Sequence, residues 1–103
     1  MPMANEKRVV RSDLWIDPAF DQRLAAEAGV AVDVFAVQGP AAAAWQALER
    51  AHVYHCSAAK DELPKAWWAG AGLLARCPEL LCVSSTGAGY DTVDVAACTA
   101  AGV

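Results

Sequence analysis

Short apolar stretches alternate with amphipathic ones along the whole chain. Each apolar stretch has the length of a β-strand, and each amphipathic one carries large apolar side chains at helical spacing. Links that contain proline, glycine or acidic residues separate them. The pattern predicts strands at residues 7–10, 30–35, 52–56 and 80–83, and helices that begin near residues 17, 40, 64 and 91. This β-α-β-α-β-α-β-α order with short links predicts an α/β fold with a parallel sheet and helices on both faces.

Acidic residues, proline and glycine indicate where the first and last helices begin and end. Asp17 and Pro18 fit the N-cap and the first position of the first helix, and Gly29 fits the residue just past its end. The fourth helix is predicted to be capped by Asp91 or Thr92 and to end at Gly102. These signals place both helices between strands.

Two of the predicted strands are expected to differ in whether other elements cover one face of them or both. Residues 30–35 alternate valines on one face with Asp33 on the other, which is typical of a half-covered strand near a sheet edge. Residues 80–83 form an unbroken apolar run, which is typical of a central strand covered on both faces. The first is therefore expected near the edge and the second inside the sheet.

The third helix is predicted to run without a break from Pro64 to Cys77. Because consecutive helical residues point about 100° apart, one of the neighbouring Trp67 and Trp68 can lie in the core while the other reaches the surface. Trp67 is expected inside, and the position of Trp68 is left open.

The amino-acid composition indicates which classes of partner this chain could bind. The chain has 103 residues, a net charge of −4, 56% hydrophobic residues and 19% charged residues, which describes one globular domain at most. Lys and Arg form no cluster that would bind a nucleic-acid backbone, and no apolar run approaches the length of a membrane span. The acidic balance predicts a cytoplasmic protein whose partners are small molecules or other subunits.

Cysteine and histidine are the residues that would most readily bind a metal. The cysteines are Cys56, Cys77, Cys82 and Cys98, with no CxxC spacing, so they are expected to be small buried hydrophobes in a reducing compartment. His52 and His55 lie three apart on one predicted strand and point to opposite faces, so they cannot readily bind one ion. A zinc site that adds Cys77 and Cys82 remains a weaker alternative, and hydrogen-bonded structural histidines are expected.

A glycine loop follows the fourth strand, where residues 87–92 read G-A-G-Y-D-T. It differs from the G-x-G-x-x-G loop that binds dinucleotide pyrophosphates, because Thr92 replaces the third glycine and the loop follows the fourth strand instead of the first. The unpaired amides of Ala88 and Gly89 could still bind a carboxylate or phosphate. Alternatively the loop is only a tight turn, in which Gly87 and Gly89 adopt positive φ and Asp91 caps the helix. The hydroxyl side chains of residues 84–86 are expected to orient it.

The stretch from residue 87 to 94, G-A-G-Y-D-T-V-D, followed by A-A-G-V at 100–103, resembles the D-isomer-specific 2-hydroxyacid dehydrogenase family. That family has a strand, a G-x-G-x-D-x-[IV]-D loop and an alanine-rich helix at the end of its N-terminal substrate-binding portion. The resemblance implies a flavodoxin-like sheet with strand order 2-1-3-4, truncated before a fifth strand that would begin at Val103. Residues 1–103 would then be an incomplete substrate-binding domain, without the nucleotide-binding domain.

The resemblance also implies a site. The backbone amides of Ala88 and Gly89 would bind the carboxylate of a small 2-hydroxy or 2-oxo acid, and Ser57, after the third strand, would face the same cleft. The family's catalytic arginine, glutamate and histidine match no residue of this sequence. The resemblance implies NAD or NADP in a full-length, homodimeric parent, with no cofactor or metal bound by residues 1–103 and no activity from them alone.

Two other readings concern proteins without dehydrogenase chemistry. A response-regulator receiver has the same kind of fold but needs a phosphoacceptor aspartate at the end of its third strand, where this chain has His55, Cys56 and Ser57. A non-catalytic flavodoxin-like binding or assembly module remains the alternative, and a longer reading frame with a G-x-G-x-x-G motif and a late histidine would favour the enzyme.

Overall fold

A computed structural model describes residues 6–86 and 89–103 of the chain. Its sheet is built from β1 (Lys7–Ser12), β2 (Val30–Phe35), β3 (Val53–Cys56) and β4 (Cys82–Ser85). The strands are parallel and lie in the order β2-β1-β3-β4. The predicted parallel sheet and its 2-1-3-4 order are both confirmed.

Helices lie on both faces of this sheet, as the α/β prediction required. They are α1 (Ala19–Ala25), α2 (Ala41–Leu48), α3 (Ala71–Arg76) and α4 (Val95–Ala101), with a 3₁₀ turn at Lys65–Trp67. Helix α1 covers one face, where the Phe20 ring stacks on His55. The other helices and the 3₁₀ turn pack around the buried residues of the opposite face. None of the helices in the described ranges has the length and apolarity needed to cross a membrane.

An aromatic cluster forms the centre of the core on that opposite face. The ring of Trp67 lies 5.3 Å from that of Phe35 and 5.1 Å from that of Trp45. Tyr54 is fully buried, and its hydroxyl donates a hydrogen bond to the Trp67 carbonyl at 2.7 Å. Burial raises the pKa of this hydroxyl, so it remains a donor at neutral pH. The core position predicted for Trp67 is confirmed, and Trp68 is half-buried.

The predicted uninterrupted third helix is wrong. Helical structure stops after Trp67, and the backbone is extended at Trp68 and Gly70 before α3 begins. Between them, Ala69 pairs with Val93 in an isolated parallel bridge. The Ala69 amide donates to the Thr92 carbonyl, and the Ala69 carbonyl accepts from the Asp94 amide. This pairing satisfies the hydrogen-bonding groups of the Ala69 backbone, which helical bonds would otherwise have satisfied, so the segment stays extended.

The burial predicted for two strands needs correction. Strand β2 lies at an edge as expected, yet Val34 is 49% exposed and it is Phe35, on the other face, that is buried. The last strand begins at Cys82 instead of Leu80 and lies at the opposite edge of the described sheet, not in its centre. Leu80 is buried just before the strand, whereas Leu81 is 62% exposed. The apolar run therefore combines a core residue with a strand, and does not indicate a strand covered on both faces.

The predicted helix caps were partly wrong. The carboxylate of Asp17 accepts a hydrogen bond from the Ala19 amide, as a capping residue would, but the first helix begins one residue later than predicted, at Ala19 with Pro18 in the cap position. Asp94, not Asp91 or Thr92, caps α4 by accepting from the Ala97 amide at 3.0 Å. The end of this helix agrees with prediction, because Gly102 adopts the left-handed conformation with φ of 79°.

Three of the four cysteines are buried as predicted, and Cys82 is exposed. Burial raises the pKa of the Cys56 and Cys98 thiols and raises that of Cys77 to about 11, so these thiols are protonated at neutral pH. Among the residues that the structure describes, no three His, Cys, Asp or Glu side chains come together as a metal site would require.

Candidate functional site

The sheet has a topological switch point between β1 and β3. These strands are neighbours, but the chain leaves β1 for α1 on one face and leaves β3 for the 3₁₀ turn on the other. In open parallel sheets such a point leaves a crevice at the carboxyl ends of the strands, and ligands bind there. A small cleft lies at this place, which we call the switch-point cleft. Its lining residues are Arg11, Ser12, Leu14, Trp15, Ile16, His55, Cys56, Ser57 and Thr86.

Two of the predicted site residues lie close together at this end of the sheet. Ser57 lines the switch-point cleft, and its side chain accepts a hydrogen bond from the Ala59 amide at 3.2 Å. A Cβ atom placed on Gly89 would lie 3.8 Å from the Cβ of Ala58, so the glycine loop passes beside the turn that follows β3. The third predicted residue, Ala88, lies outside the described residues.

The hydroxyl side chains before the glycine loop were expected to orient it, and one of them does. The Ser85 hydroxyl donates to the Gly89 carbonyl at 2.9 Å. Ser84 instead lies 2.9 Å from Nδ1 of His55. The Gly89 carbonyl is thus held by the end of β4, which limits how the loop can move relative to the sheet.

Thr92 joins the two loops of the site. It is 1% exposed, and its hydroxyl donates to the Ser57 carbonyl at 2.5 Å. The Cys56 sulfur lies 3.8 Å from the same hydroxyl. A residue that the sequence suggested as a helix cap therefore fixes the spacing between the turn after β3 and the glycine loop.

We expect the Thr92→Val substitution to lower the free energy of unfolding by about 1–3 kcal/mol, because it leaves the Ser57 carbonyl without its partner at nearly constant volume. Thr92→Ser keeps the hydroxyl and removes only a methyl group, so it should lower the free energy of unfolding by about 1 kcal/mol. Urea denaturation of the chain and its two variants measures both values. A Val variant as stable as the wild type would mean that the hydrogen bond contributes nothing.

The electrostatics of the cleft are dominated by one ion pair. Arg11 donates to both carboxylate oxygens of Asp21, at 3.0 and 2.5 Å, and to the Ser12 carbonyl at 2.8 Å. The hydrogen bond with Asp21 raises the pKa of Arg11, and the same contact lowers the pKa of the Asp21 carboxyl. The charge of Arg11 is therefore neutralised by α1, and the guanidinium acts as a structural link between helix and sheet.

His55 lies beside this pair, under α1. Its ring stacks on Phe20 with the ring centres 4.5 Å apart. Burial lowers its pKa below the ordinary 6.5, and the positive charge of Arg11 lowers it further. His55 is neutral at pH 7 and belongs to the packing under α1. His52 also has a hydrogen-bonded role, since its Nδ1 accepts from the Arg8 amide at 2.9 Å. The prediction of hydrogen-bonded structural histidines is confirmed for both.

The lowered pKa of His55 predicts a pH dependence of stability. Below pH 6.5 the unfolded chain binds a proton that the folded chain resists, so the free energy of unfolding should fall as the pH drops from 6.5 towards the folded-state pKa. The slope from this single group cannot exceed about 1.4 kcal/mol per pH unit. Denaturant unfolding of wild type and His55→Gln between pH 5 and 7.5 measures the difference. Identical pH profiles would contradict the assignment.

The residues after the glycine loop do not fit a dinucleotide pyrophosphate. The first turn of α4 is already capped by the carboxylate of Asp94, which places a negative charge where the phosphates would bind. Thr92, at the position of the third glycine, is buried and bonded to Ser57. The pyrophosphate reading of this loop is therefore rejected on geometry and charge.

A larger cavity of about 700 Å³ lies beside the Ala69–Val93 bridge, and residues 91–94 form part of its lining. Apolar side chains of Trp45, Trp68 and Leu73 form much of its wall. Arg76 lies 3.7 Å above the Trp45 ring and is also paired with Glu49, so its charge has partners. None of the residues that line this cavity belongs to β1 or β3, whereas residues of both strands line the switch-point cleft, so we place the candidate site in that smaller cleft.

Two residues of this region were not identified from the sequence. Thr92 contacts Ser57 across 35 positions, and no local pattern signals such a contact. Trp15 stands in the loop after β1, and an apolar L-W-I triplet at 14–16 inside a loop was the available signal. A large side chain that remains 83% exposed beside a cleft is a feature only the structure reveals.

Comparison with known proteins gives the family context. Residues 18–103 match the profile of the D-isomer specific 2-hydroxyacid dehydrogenase catalytic domain. The fold is similar to that of a 2-hydroxyacid dehydrogenase from Ketogulonicigenium vulgare Y25, with a TM-score of 0.65 and 25% sequence identity. The match covers 96% of this chain and 28% of that one, so this chain spans less than a third of the length of that dehydrogenase. No curated protein sequence matches the chain.

Proposed function

The chain belongs to the D-isomer specific 2-hydroxyacid dehydrogenase family, and from this premise we propose that residues 1–103 are the substrate-binding portion of an NAD(P)-dependent enzyme that reduces 2-oxo acids to D-2-hydroxy acids. We call the longer protein that would contain them the parent dehydrogenase. It would be homodimeric, as the family resemblance implies, and cytoplasmic, as the acidic composition predicts. Its remaining length would supply the nucleotide-binding domain and the catalytic arginine, glutamate and histidine.

One observation carries the proposal: the glycine loop and the turn after β3 lie side by side at the carboxyl ends of the strands. Gly89 lies beside Ala58, and Thr92 bonds to the Ser57 carbonyl. This is the place where an open parallel sheet offers a ligand site. The agreement between that general rule and the residues implied by the resemblance supports the assignment.

The residues of this chain would bind and orient the substrate. Backbone amides of the glycine loop, at Ala88 and Gly89, would donate hydrogen bonds to the substrate carboxylate, and Ser57 would limit its position from the other side. Ser85 and Thr92 would hold the two loops at a fixed separation. Such fixed donors cost little reorganisation when the substrate binds. The cofactor would supply the hydride, and the described residues do not fit its pyrophosphate, so it would be bound elsewhere in the parent.

The test is a reductase assay on the parent dehydrogenase with NADH or NADPH and a panel of 2-oxo acids that includes glyoxylate and pyruvate. We expect oxidation of the cofactor and, from pyruvate, D-lactate as the product. Residues 1–103 alone should show no turnover under the same conditions.

Different results would favour different functions. Exclusive formation of L-lactate would contradict the stereochemical part of the proposal. A folded parent that oxidises neither cofactor with any 2-oxo acid would contradict the enzyme assignment and favour a non-catalytic binding or assembly module.

A further inference from the structure

The loop after β1 is fixed to the neighbouring loop by specific hydrogen bonds. The Asp13 amide donates to the Phe35 carbonyl at 2.9 Å, and the Asp13 carboxylate accepts from the Val37 amide at 3.0 Å. Leu14 packs against the hydrophobic core. These contacts fix the two residues that precede Trp15, so the indole follows directly on an anchored segment.

Trp15 is the most exposed large apolar side chain that the structure describes. It is 83% exposed, and it lines the switch-point cleft together with Ile16, which is half-buried. Burying an indole is among the larger apolar contributions available to a binding site. An exposed one at the mouth of a cleft is therefore a surface that a ligand could cover.

The same cleft offers little to a second negative charge on a ligand. Within the described ranges, Arg11 is the only lysine or arginine that lines it, and the imidazole of His55 is stacked under α1. That guanidinium is held in two contacts with Asp21 and one with the Ser12 carbonyl. A carboxylate or phosphate on the ligand's side chain would have to break this pair or remain unpaired, and either costs affinity.

We propose, resting on the function proposed above, that Trp15 and Ile16 receive the side chain of the substrate, and that the substrates are 2-oxo acids with an uncharged apolar side chain, aromatic ones in particular. The single carboxylate of such an acid would bind at the glycine loop, and its side chain would extend across the cleft to the indole. Acids that carry a second carboxylate or a phosphate would be poor substrates.

The test compares kcat/KM of the parent dehydrogenase for phenylpyruvate, pyruvate and oxaloacetate. We expect phenylpyruvate to be preferred over pyruvate by about tenfold or more, a discrimination that apolar contacts of this size can supply. Oxaloacetate should be the poorest of the three. Trp15→Ala should lower the ratio of phenylpyruvate to pyruvate about tenfold, and Trp15→Phe should retain most of it.

Leu81→Ala provides the matched control, because Leu81 is 62% exposed and lies before β4, at the opposite end of that strand from the cleft. This variant should keep the wild-type ratio. A preference for pyruvate or oxaloacetate in the wild type, or an equal loss on all three substrates in Trp15→Ala, would overturn the inference while leaving the 2-oxo acid reductase assignment intact. Failure of the wild type to reduce any of the three would instead reject the proposed function itself, and the inference with it.

Discussion

We expect the Trp67→Ala substitution to lower the free energy of unfolding by about 3–5 kcal/mol, a large part of the stability of an ordinary domain. Trp67 is 6% exposed and contacts the rings of Phe35 and Trp45. Its removal would leave a cavity between α2 and the sheet. Trp67 is also the last residue of the 3₁₀ turn, and its carbonyl accepts a hydrogen bond from the Tyr54 hydroxyl. Without the indole, the position of this backbone would no longer be fixed by packing.

Trp15→Ala is the matched control, because it makes the same chemical change at a side chain that is 83% exposed. It should alter the free energy of unfolding by no more than about 0.5 kcal/mol. Urea denaturation followed by circular dichroism measures both variants, and loss of a cooperative transition in Trp67→Ala counts as the expected result. Equal small losses in the two variants would show that the aromatic cluster does not hold the core together.

The second large effect concerns the glycine loop. In the parent dehydrogenase we expect Gly89→Asp to lower kcat/KM for 2-oxo acids at least about 100-fold, because a carboxylate beside the substrate carboxylate costs several kcal/mol in like-charge repulsion. The space at this position allows a side chain, since a Cβ on Gly89 would be 3.8 Å from that of Ala58. The loss should therefore come from charge and not from a clash.

Gly72→Asp supplies the control for added charge. Gly72 lies in α3, and a Cβ there would meet no atom within 4 Å. Activity of this variant should stay within about twofold of wild type, since surface changes away from a site usually have small effects. If Gly89→Asp were as active as Gly72→Asp, the glycine loop would not be the carboxylate site, even if the parent proved to be a reductase.

The order of strands and helices could be predicted because it depends on local patterns. The strand at 30–35 and the turn signals at Gly29 and Gly102 depend on neighbouring residues, and the structure agrees with them, although it does not bury the face that carries the valines. The break after Trp67 could not be predicted in this way. It results from pairing between Ala69 and Val93, two residues that are distant in sequence, and helix propensity does not report such a contact.

The site shows the same division. Ser57 and Gly89 entered through the family resemblance, and the structure places their loops together. The hydrogen bond of Thr92 and the exposure of Trp15 depend on how separate segments pack. Arg11 would have been a reasonable candidate for an anion site from its residue type alone, but its pairing with Asp21 removes that role.

The central place of β1 in the sheet has a consequence for the order in which the protein can assemble during synthesis. Strand β1 is made first, and it pairs with β2 on one side and with β3 on the other. Its second neighbour is complete only when Cys56 has left the ribosome. Contacts between strands so far apart in sequence make folding slow and leave intermediates with unpaired edges. Until β3 pairs with it, β1 should therefore expose an unpaired edge in the nascent chain.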